Sequence, residues 1–459
     1  MEYRVEHDLL GELSVPAACY WGIHTERARR NFSAAGRPVH AALIRAGALV
    51  KQVCADTNAE LGFLPPEKAS YIGGACREIV DGKWSDQFVV DALQGGAGTS
   101  THMNLNEVIA NRALELAGRP RGDYGYIHPL AQVNLHQSTN DVLPTALKIA
   151  AIRMLNRLEE AIAFLQGAMQ SKEKEFAGIV KIGRTELQEA VPITLGAEFS
   201  GFADALSRDR WRTCKCKERM RVVNIGGTAV GTGLTAPRSY IFLVNEKLRA
   251  VSGAGITRGE NLVGETANSD ACVEVSGVLN ACAQNFIKIA NDLRLLHFLG
   301  EIRLPPAQAG SSLMPGKVNP VVCEAVIQAG IYARAQEGIV SDAASRATLQ
   351  INEFLPLLAD ALLQQLDALR AAAEMLRPCV EAIDASRERC QAAVERSVTI
   401  ITAFLPLIGY DRATELVREF RNQAGGSFRT FLAEKLGEEA VAGVLSADRI
   451  TALGYREDV

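Results

Sequence analysis

The sequence has few of the features that mark a specialised class of protein. Aromatic residues make up only 6% of its 459 residues, and charged residues make up 22%. Lys and Arg number 49 against 53 Asp and Glu, so the formal charge is only −4. Such a chain lacks the basic surface that a large nucleic-acid footprint needs, and we expect no nucleic-acid partner. The composition is that of an ordinary globular protein and excludes disorder, collagen and low-complexity sequence.

Long apolar runs and dense cysteines are also missing. No apolar stretch approaches the ~20 residues that a membrane-spanning helix requires, and residues 1–8 are charged, unlike a signal peptide. Ten cysteines are spread through the chain, and only Cys214 and Cys216 lie close together, too isolated a pair for a metal site. Disulfide frameworks are typical of small, cysteine-dense secreted chains. We therefore expect reduced thiols, a cytoplasmic location, no membrane contact and no metal.

Apolar residues recur at helical spacing in three long stretches, which run from Leu147 to Leu165, from Val273 to Leu293 and from Leu355 to Leu369. Each stretch predicts a helix with an apolar face. The second is apolar on more than one side, which is typical of a helix buried within a bundle or between subunits. Alternating β patterns are rare and short. The predicted fold class is therefore mainly α, with a long helical bundle.

The chain divides into three predicted regions. Residues 1–136 mix short elements with Pro and Gly and are expected to form a mostly helical N-terminal domain. Residues 137–388 contain the three periodic stretches and are expected to form the central bundle. Residues 389–459 are expected to form a small helical C-terminal domain.

Four polar, glycine-rich segments interrupt the helical pattern. The first, Gln94–Asn104, reads QGGAGTSTHMN. Its three glycines permit an unusual backbone path and the close approach of a ligand, and the hydroxyls of Thr99, Ser100 and Thr101 offer donors. The alternative interpretation is a tight turn before a helix that starts near Asn106.

The second segment, His136–Asp141, reads HQSTND and precedes the first periodic stretch. Ser, Thr, Asn and Asp are the preferred residues at a helix N-cap, so capping alone is one interpretation. Four of them in a row exceed what one cap needs. The free N–H groups of a helix start, with additional hydroxyls, make an anion site of carboxylate size.

The third and fourth segments are Gly183–Pro192 and Gly310–Pro320. The third reads GRTELQEAVP, and we interpret it as a charged turn into the next helix. The fourth reads GSSLMPGKVNP, and its glycines predict a flexible loop that can close over a ligand. Asn319 can cap the following helix with Pro320 in its first turn. Lys317 would then lie beside the positive helix end and strengthen the attraction for a carboxylate.

Together the four segments resemble the aspartase/fumarase superfamily, whose signature is close to GSSLMPGKVNP. Three further segments match its aspartase branch: Arg4–Gly11, Tyr20–Thr25 and Gly226–Leu234, the last of which reads GGTAVGTGL. The resemblance implies a homotetramer with a core of twenty long helices, five from each subunit, and active sites each built from three subunits. Such enzymes remove a proton beside a carboxylate and expel a group from the neighbouring carbon, which releases fumarate or a similar product. They need no metal or organic cofactor.

The resemblance also assigns roles to residues. Ser311 is the expected general base, and its alkoxide needs nearby donors and exclusion of water. The groups expected to hold the carboxylate that becomes a dianion are Thr99, Ser138, Thr139 and Ser312. The groups expected to hold the other carboxylate are Lys317, Asn319 and Thr185. Asn140 is expected near the leaving nitrogen. The remaining candidates for substrate contact are Ser100 and His102, and the remaining catalytic candidates are Glu186 and Glu324.

Three features favour C–N cleavage over hydration of fumarate. Thr139 stands where fumarases have a second Ser, and Ala97 is also the aspartase-like choice. The extra anion site of fumarases has no counterpart in residues 128–131, which read HPLA. The expected reaction is therefore the conversion of L-aspartate to fumarate and ammonia.

The sequence also departs from aspartases. His102 stands where Asn is usual, Glu186 stands where His or Gln is usual, and the loop around residues 297–302 is shortened. Glu186 repels a dicarboxylate unless it faces an ammonium group, shares a proton with Glu324 or pairs with His102.

These departures leave alternative functions open. One is a sister C–N lyase acting on another amino acid or on a quaternary-ammonium betaine, as an ergothionase does. Another is fumarate hydratase. A third is a scaffold without activity, as in lens structural proteins of the superfamily, but the intact Ser311, Lys317 and Asn319 argue against it.

Overall fold

The computed structural model describes residues 2–423 and 425–455, and this part of the chain is mainly α-helical, as predicted. Its α-helices, in chain order, are α1 (Ile23–Asn31), α2 (Ala41–Glu60), α3 (Pro66–Val80), α4 (Thr99–Leu116), α5 (Thr139–Glu175), α6 (Leu195–Arg219), α7 (Arg238–Ser252), α8 (Leu262–Ala267), α9 (Asp270–Phe298), α10 (Val321–Ser345), α11 (Leu355–Glu381), α12 (Arg387–Arg396), α13 (Leu405–Ile408), α14 (Tyr410–Arg421), α15 (Phe428–Leu436), α16 (Glu438–Val444) and α17 (Ala447–Ile450). Shorter helical turns are Ser85–Gln87, Pro129–Val133 and Val398–Phe404.

The strands form small two-stranded sheets. The antiparallel pairs are β1 (Tyr3–Asp8) with β2 (Gly11–Pro16), β3 (Val180–Thr185) with β4 (Gln188–Thr194), and β7 (Ile302–Arg303) with β8 (Asp384–Ala385). The pair β5 (Val222–Val223) and β6 (Thr257–Arg258) is parallel. In the second hairpin Thr185 lies opposite Gln188, and the register shifts between Ile182 and Arg184.

The described residues form two compact units. The first unit comprises residues 2–159, 212–281 and 332–369, and the second comprises residues 160–211, 282–331 and 370–455. Five long helices, α5, α6, α9, α10 and α11, have residues in both units. The division into regions at residues 136 and 388 stays a prediction.

The periodic stretches are helical and buried, as predicted. Leu147, Leu158 and Leu165 lie in α5 with almost no exposed surface. The second stretch falls in α9 and the third in α11, where the leucines at the predicted spacing are also buried. The hydrophobic pattern therefore identifies the faces by which these helices pack.

The core of the first unit fixes the position of α4. Leu105 of α4 packs where Gly47 of α2 has no side chain, since a Cβ atom there would lie 2.6 Å from the Leu105 Cδ1 atom. Ile72 of α3 and Val108 of α4 belong to the same buried cluster. This close packing holds the helix whose first turn carries three of the predicted site residues.

The second hairpin is held firmly within the second unit. Lys181 is fully buried and lies 2.7 Å from a carboxylate oxygen of both Glu198 and Glu301. The Ser397 hydroxyl donates a 2.6 Å hydrogen bond to Glu189 of β4. Because buried charges are stable only when paired, these contacts fix the position of the hairpin and its tip.

The prediction of a charged turn into the next helix at Gly183–Pro192 is therefore wrong. The segment makes a β-hairpin whose two tip residues, Glu186 and Leu187, have φ angles of 53° and 63°. This left-handed conformation suits the twist of a two-residue hairpin. The hairpin could not be recognised from the sequence, because Glu-Leu stands in place of the Asn-Gly pair that usually marks such a turn.

No single helix in the described ranges is long and apolar enough to cross a membrane. The bent pair Arg387–Arg396 and Val398–Ile408, at an angle of 79°, meets the length and composition criteria only when its two helices are taken together.

Candidate active site

The first glycine-rich segment forms a tight turn that leads directly into α4. Gly96, Ala97 and Gly98 all have positive φ angles, of 83°, 57° and 89°. The Gln94 side-chain oxygen accepts hydrogen bonds from both the backbone N–H and the hydroxyl of Thr101, at 2.8 and 2.9 Å.

The helix consequently begins at Thr99, and the predicted start near Asn106 is wrong. The hydroxyl residues Thr99 and Ser100 form its first turn rather than a loop before it. The pattern missed this start because the capping oxygen comes from Gln94, outside the usual N-cap position.

The second segment begins α5. Asp141 accepts the Ser138 N–H at 2.9 Å, and the Ser138 hydroxyl accepts the Asn140 N–H at 3.3 Å. These bonds resemble a capping box, in which the residue at the cap and the third residue of the helix satisfy each other. Ser138, Thr139 and Asn140 are all partly exposed.

A hydrogen bond joins the first turns of the two helices. His102 Nδ1 lies 2.9 Å from the Thr139 hydroxyl oxygen. The turns also pack closely, since a Cβ atom on Gly98 would lie 2.5 Å from the Leu143 side chain of α5. Two helix N-termini, each with a positive dipole end, thus lie side by side with their hydroxyl residues. This arrangement suits a carboxylate.

The His102 ring is neutral in this setting. Burial holds its pKa well below the ordinary value, and the charge of Lys51 acts in the same direction. Its Nε2 atom is buried without a hydrogen-bond partner among the described residues. An unpaired donor is rarer in proteins than an unpaired acceptor, so Nδ1 carries the proton and donates it to Thr139. The Thr139 hydroxyl is then free to donate to a ligand.

Two buried ionisable side chains, Lys51 and Asp141, interact electrostatically at the start of α5. Lys51 of α2 is fully buried and donates to the Asn134 side chain at 2.8 Å. Burial lowers its pKa to about 7 and raises that of Asp141 to about 6, while the attraction between the two groups opposes both shifts. Sequence reasoning missed Lys51, because a lysine within a helix is usually exposed.

Asn140 has a fixed side-chain orientation. Its amide nitrogen donates to the backbone oxygen of Ala229 at 2.7 Å. With the nitrogen occupied, the side-chain oxygen is the atom left to accept a hydrogen bond from a ligand. The sequence identified Asn140 but could not show this partner, 89 residues further along the chain.

The fourth segment forms a loop in the second unit. Gly310 donates its N–H to the Lys317 oxygen at 2.8 Å and accepts the Asn319 side-chain N–H at 2.7 Å. The predicted cap is therefore wrong: Asn319 closes the loop, and α10 begins at Val321. Gly310 is required because a Cβ atom would lie 2.5 Å from the Lys317 oxygen.

Within this loop Ser311 receives two backbone donors. Its hydroxyl oxygen accepts the N–H groups of Leu313 at 3.1 Å and Met314 at 2.8 Å. Hydrogen bonds to an oxygen favour its charged form, so these two donors stabilise a Ser311 alkoxide. Ser312 and Lys317 lie in the same loop and are exposed.

The remaining predicted residues also lie in the second unit. Thr185 and Glu186 are exposed at the tip of the hairpin, and Glu324 lies in the first turn of α10. Among the described residues His102 bonds Thr139 through Nδ1 and has no partner at Nε2, so its pairing with Glu186 stays a prediction. No group of three or more His, Cys, Asp or Glu side chains in the described ranges could hold a metal ion.

Known proteins match nearly the whole chain. A family model described as Lyase matches residues 11–335. The aspartate ammonia-lyase of Pseudomonas aeruginosa is 43% identical over 98% of this chain and 97% of its own length. The class II fumarate hydratase of Thermosynechococcus vestitus is 41% identical over 91% of each protein. The crystal structure of a fumarate lyase:delta crystallin from Brucella melitensis, bound to cobalt, is 44% identical and covers 99% of this chain and 100% of that one, with a TM-score of 0.93.

The neutral state of the His102 ring can be tested by titration. Nitrogen NMR shifts of the seven histidines should show that the His102 ring stays neutral at pH values where exposed histidines gain a proton, because burial holds the pKa of His102 well below its ordinary value. The variant His102→Asn should lack this signal and identify it. A ring at position 102 that titrates near its ordinary value would contradict the assignment.

Proposed function

This chain belongs to the Lyase family, within the aspartase/fumarase superfamily, and we propose that it is a carbon–nitrogen lyase that converts L-aspartate into fumarate and ammonia. The observation that carries the proposal is the pair of backbone N–H groups on the Ser311 hydroxyl oxygen, because they make this serine fit to act as a base. The full-length similarity to an aspartate ammonia-lyase supports the choice of substrate.

The reaction has one difficult step. The proton on the aspartate carbon beside the side-chain carboxylate is very weakly acidic, because its removal leaves two negative charges on one carboxyl group. The Ser311 alkoxide takes this proton, the C–N bond of the neighbouring carbon breaks, and ammonia leaves with the electron pair of that bond. The remaining electrons form the double bond of fumarate. Catalysis then depends on donors that stabilise the dianion as it forms.

The paired helix starts supply those donors. Ser138 and Thr139 offer hydroxyls at the start of α5, and Ser312 adds one from the loop. The Thr99 hydroxyl in the first turn of α4 donates to the Gly96 oxygen at 2.8 Å, and in the proposed reaction it turns from that oxygen to the substrate. Ser100 and His102 belong to the same pair of turns, where His102 holds the Thr139 hydroxyl. Since these donors are held in place before the reaction, they need little reorganisation as charge develops.

Other residues hold the second carboxylate and the amino group. We assign the second carboxylate to Lys317, Asn319 and Thr185. The free side-chain oxygen of Asn140 accepts an N–H of the ammonium group. Glu186 faces the ammonium group as well, and Glu324 in the first turn of α10 is its partner carboxylate.

The proposal includes an assembly, a homotetramer in the cytoplasm whose sites each combine residues from three subunits. Exposed apolar side chains on the long helices support it. Ile331, Tyr332 and Ile339 of α10 and Phe164 of α5 are each more than a third exposed in the single chain. Exposed apolar patches are typical of protein–protein interfaces.

A panel of amino acids tests the reaction. Aspartate should give ammonia and fumarate in equal amounts, measured by an ammonia assay and ultraviolet absorbance. Ser311→Ala should lose at least about 10³-fold in kcat, since it removes the base, while Ser171→Ala on the exposed face of α5 should not. Release of trimethylamine from a betaine while aspartate is ignored would indicate the sister lyase. Loss of fumarate without ammonia would indicate the hydratase.

Kinetics with aspartate test whether Glu186 faces the ammonium group of the substrate. Glu186→Gln should raise KM for aspartate about 10-fold, because an ammonium group loses a facing negative charge. Fumarate has no ammonium group, so its inhibition constant is the control and should not weaken. An unchanged KM for aspartate would remove Glu186 from the site.

Mixing two inactive variants tests the shared site. Ser311→Ala and Thr139→Val should each be inactive, because one lacks the base and the other a donor. When they are unfolded and refolded together, about a quarter of wild-type activity should return if the two residues of each site come from different subunits of a random tetramer. Activity that stays absent, although a mixed tetramer forms, would place the whole site within one chain.

A further inference from the structure

The segment GGTAVGTGL takes no part in the chemistry above, yet it is tied to the turn that begins α5. We call Asn224–Leu234 the glycine loop. Asp141 is fully buried, and its Oδ2 atom accepts the N–H groups of Gly226 at 3.1 Å and Thr228 at 3.0 Å. Its Oδ1 atom accepts the N–H of Ser138 at 2.9 Å. One carboxylate thus links the glycine loop to the turn with the predicted substrate contacts.

A second link fills a gap left by a proline. Pro144 has no N–H, so the backbone oxygen of Asn140 lacks the partner that a helix normally provides four residues later. The Asn224 side chain donates to that oxygen at 2.9 Å. The rest of the Asn224 amide is occupied by Thr145 and Thr266, at 3.3 and 3.0 Å.

A third link orients the side chain of Asn140, which is itself a proposed substrate contact. The Asn140 side-chain nitrogen donates to the backbone oxygen of Ala229, in the exposed part of the glycine loop. The position of Ala229 therefore determines which atom of the Asn140 amide faces a ligand. If the glycine loop moves away, the amide can turn and present a donor where the proposed reaction needs an acceptor.

The glycine loop has a shape that few residues could adopt. Thr228 has a φ angle of 57°, which is strained for a residue with a branched side chain. Its hydroxyl donates to the Leu234 oxygen at 2.8 Å. A Cβ atom on Gly231 would collide with the backbone at Leu262 and Val263. The strain at Thr228 is maintained by the hydrogen bond from its N–H to Asp141.

We propose that Asp141 and Asn224 are positioning residues, which hold the Ser138–Asn140 turn against the glycine loop and so set the hydroxyls and the Asn140 amide for catalysis. This inference rests on the proposed function for its effect on rate. The links themselves are independent of the substrate.

A buried carboxylate could also serve stability alone, and the chain offers a matched control for that role. Glu107 of α4 is 1% exposed and accepts the N–H groups of Gly22, His24 and Thr25, at 2.8, 2.9 and 3.1 Å. Glu107 therefore accepts three backbone N–H groups, the same number as Asp141, but its donors lie at the start of α1. It contacts none of the proposed site residues through these bonds.

The experiment compares three variants of the whole enzyme: Asp141→Asn, Asn224→Leu and Glu107→Gln. The first readout is backbone amide exchange in deuterated water. Asp141→Asn should speed exchange at Ser138, Gly226 and Thr228 by at least about tenfold, since a neutral amide is a weaker acceptor. Glu107→Gln should speed exchange in residues 22–25 instead.

The second readout is the kinetics with aspartate, per folded molecule. Asp141→Asn and Asn224→Leu should each lower kcat about 100-fold while KM changes by less than about threefold, because misplaced groups affect the transition state more than binding. Glu107→Gln should change kcat less than about twofold. The leucine variant keeps the test possible if the buried Asp141 site does not tolerate asparagine.

Two results would overturn the proposal. One is unchanged exchange at residues 138 and 226–228 in Asp141→Asn, which would mean that the carboxylate does not hold the two segments together. The other is a wild-type kcat in both Asp141→Asn and Asn224→Leu, which would make their role purely structural. If the wild-type enzyme ignores aspartate, the proposed function fails on its own, while the exchange readout still decides whether the links exist.

Discussion

The hydrogen bond between His102 and Thr139 joins the first turns of two helices, and the proposed site is built around that contact. Each helix brings a positive dipole end and hydroxyl side chains. The packing of α4 on α2 through Gly47 and the absence of a side chain at Gly98 bring the two turns within reach. A neutral histidine is suited to this position, because it orients a hydroxyl without adding a charge that titrates near neutral pH.

The two units carry different parts of the proposed chemistry. In the first unit the donors are held rigidly, with Asp141 and Asn224 fixing the turn from beneath. In the second unit the Gly310–Pro320 loop carries Ser311, the proposed base, whose hydroxyl oxygen accepts the N–H groups of Leu313 and Met314. In the proposed reaction the donors supply a preorganised field and the loop excludes water.

The sequence predicted features that depend on local pattern, and it missed those that depend on distant partners. The apolar spacing around Leu147 predicted a helix correctly, because an amphipathic helix buries its apolar face whichever elements it packs against. The start of α4 at Thr99 depends on the hydrogen bond that Gln94 accepts from Thr101. The hairpin tip at Glu186 depends on the hydrogen bond between Glu189 of β4 and the distant Ser397. Lys51 and Asp141 are buried together only because the tertiary fold supplies hydrogen bonds to each. No spacing rule connects such residues along the chain.

The most direct test of the central claim is a crystal structure of the assembled Ser311→Ala enzyme with aspartate bound. One substrate carboxylate should lie at the first turns of α4 and α5, with its oxygens about 3 Å from the Ser138 and Thr139 hydroxyl oxygens. The amino group of the substrate should lie beside the Asn140 side-chain oxygen. Aspartate held elsewhere, with both turns empty of ligand, would contradict the claim.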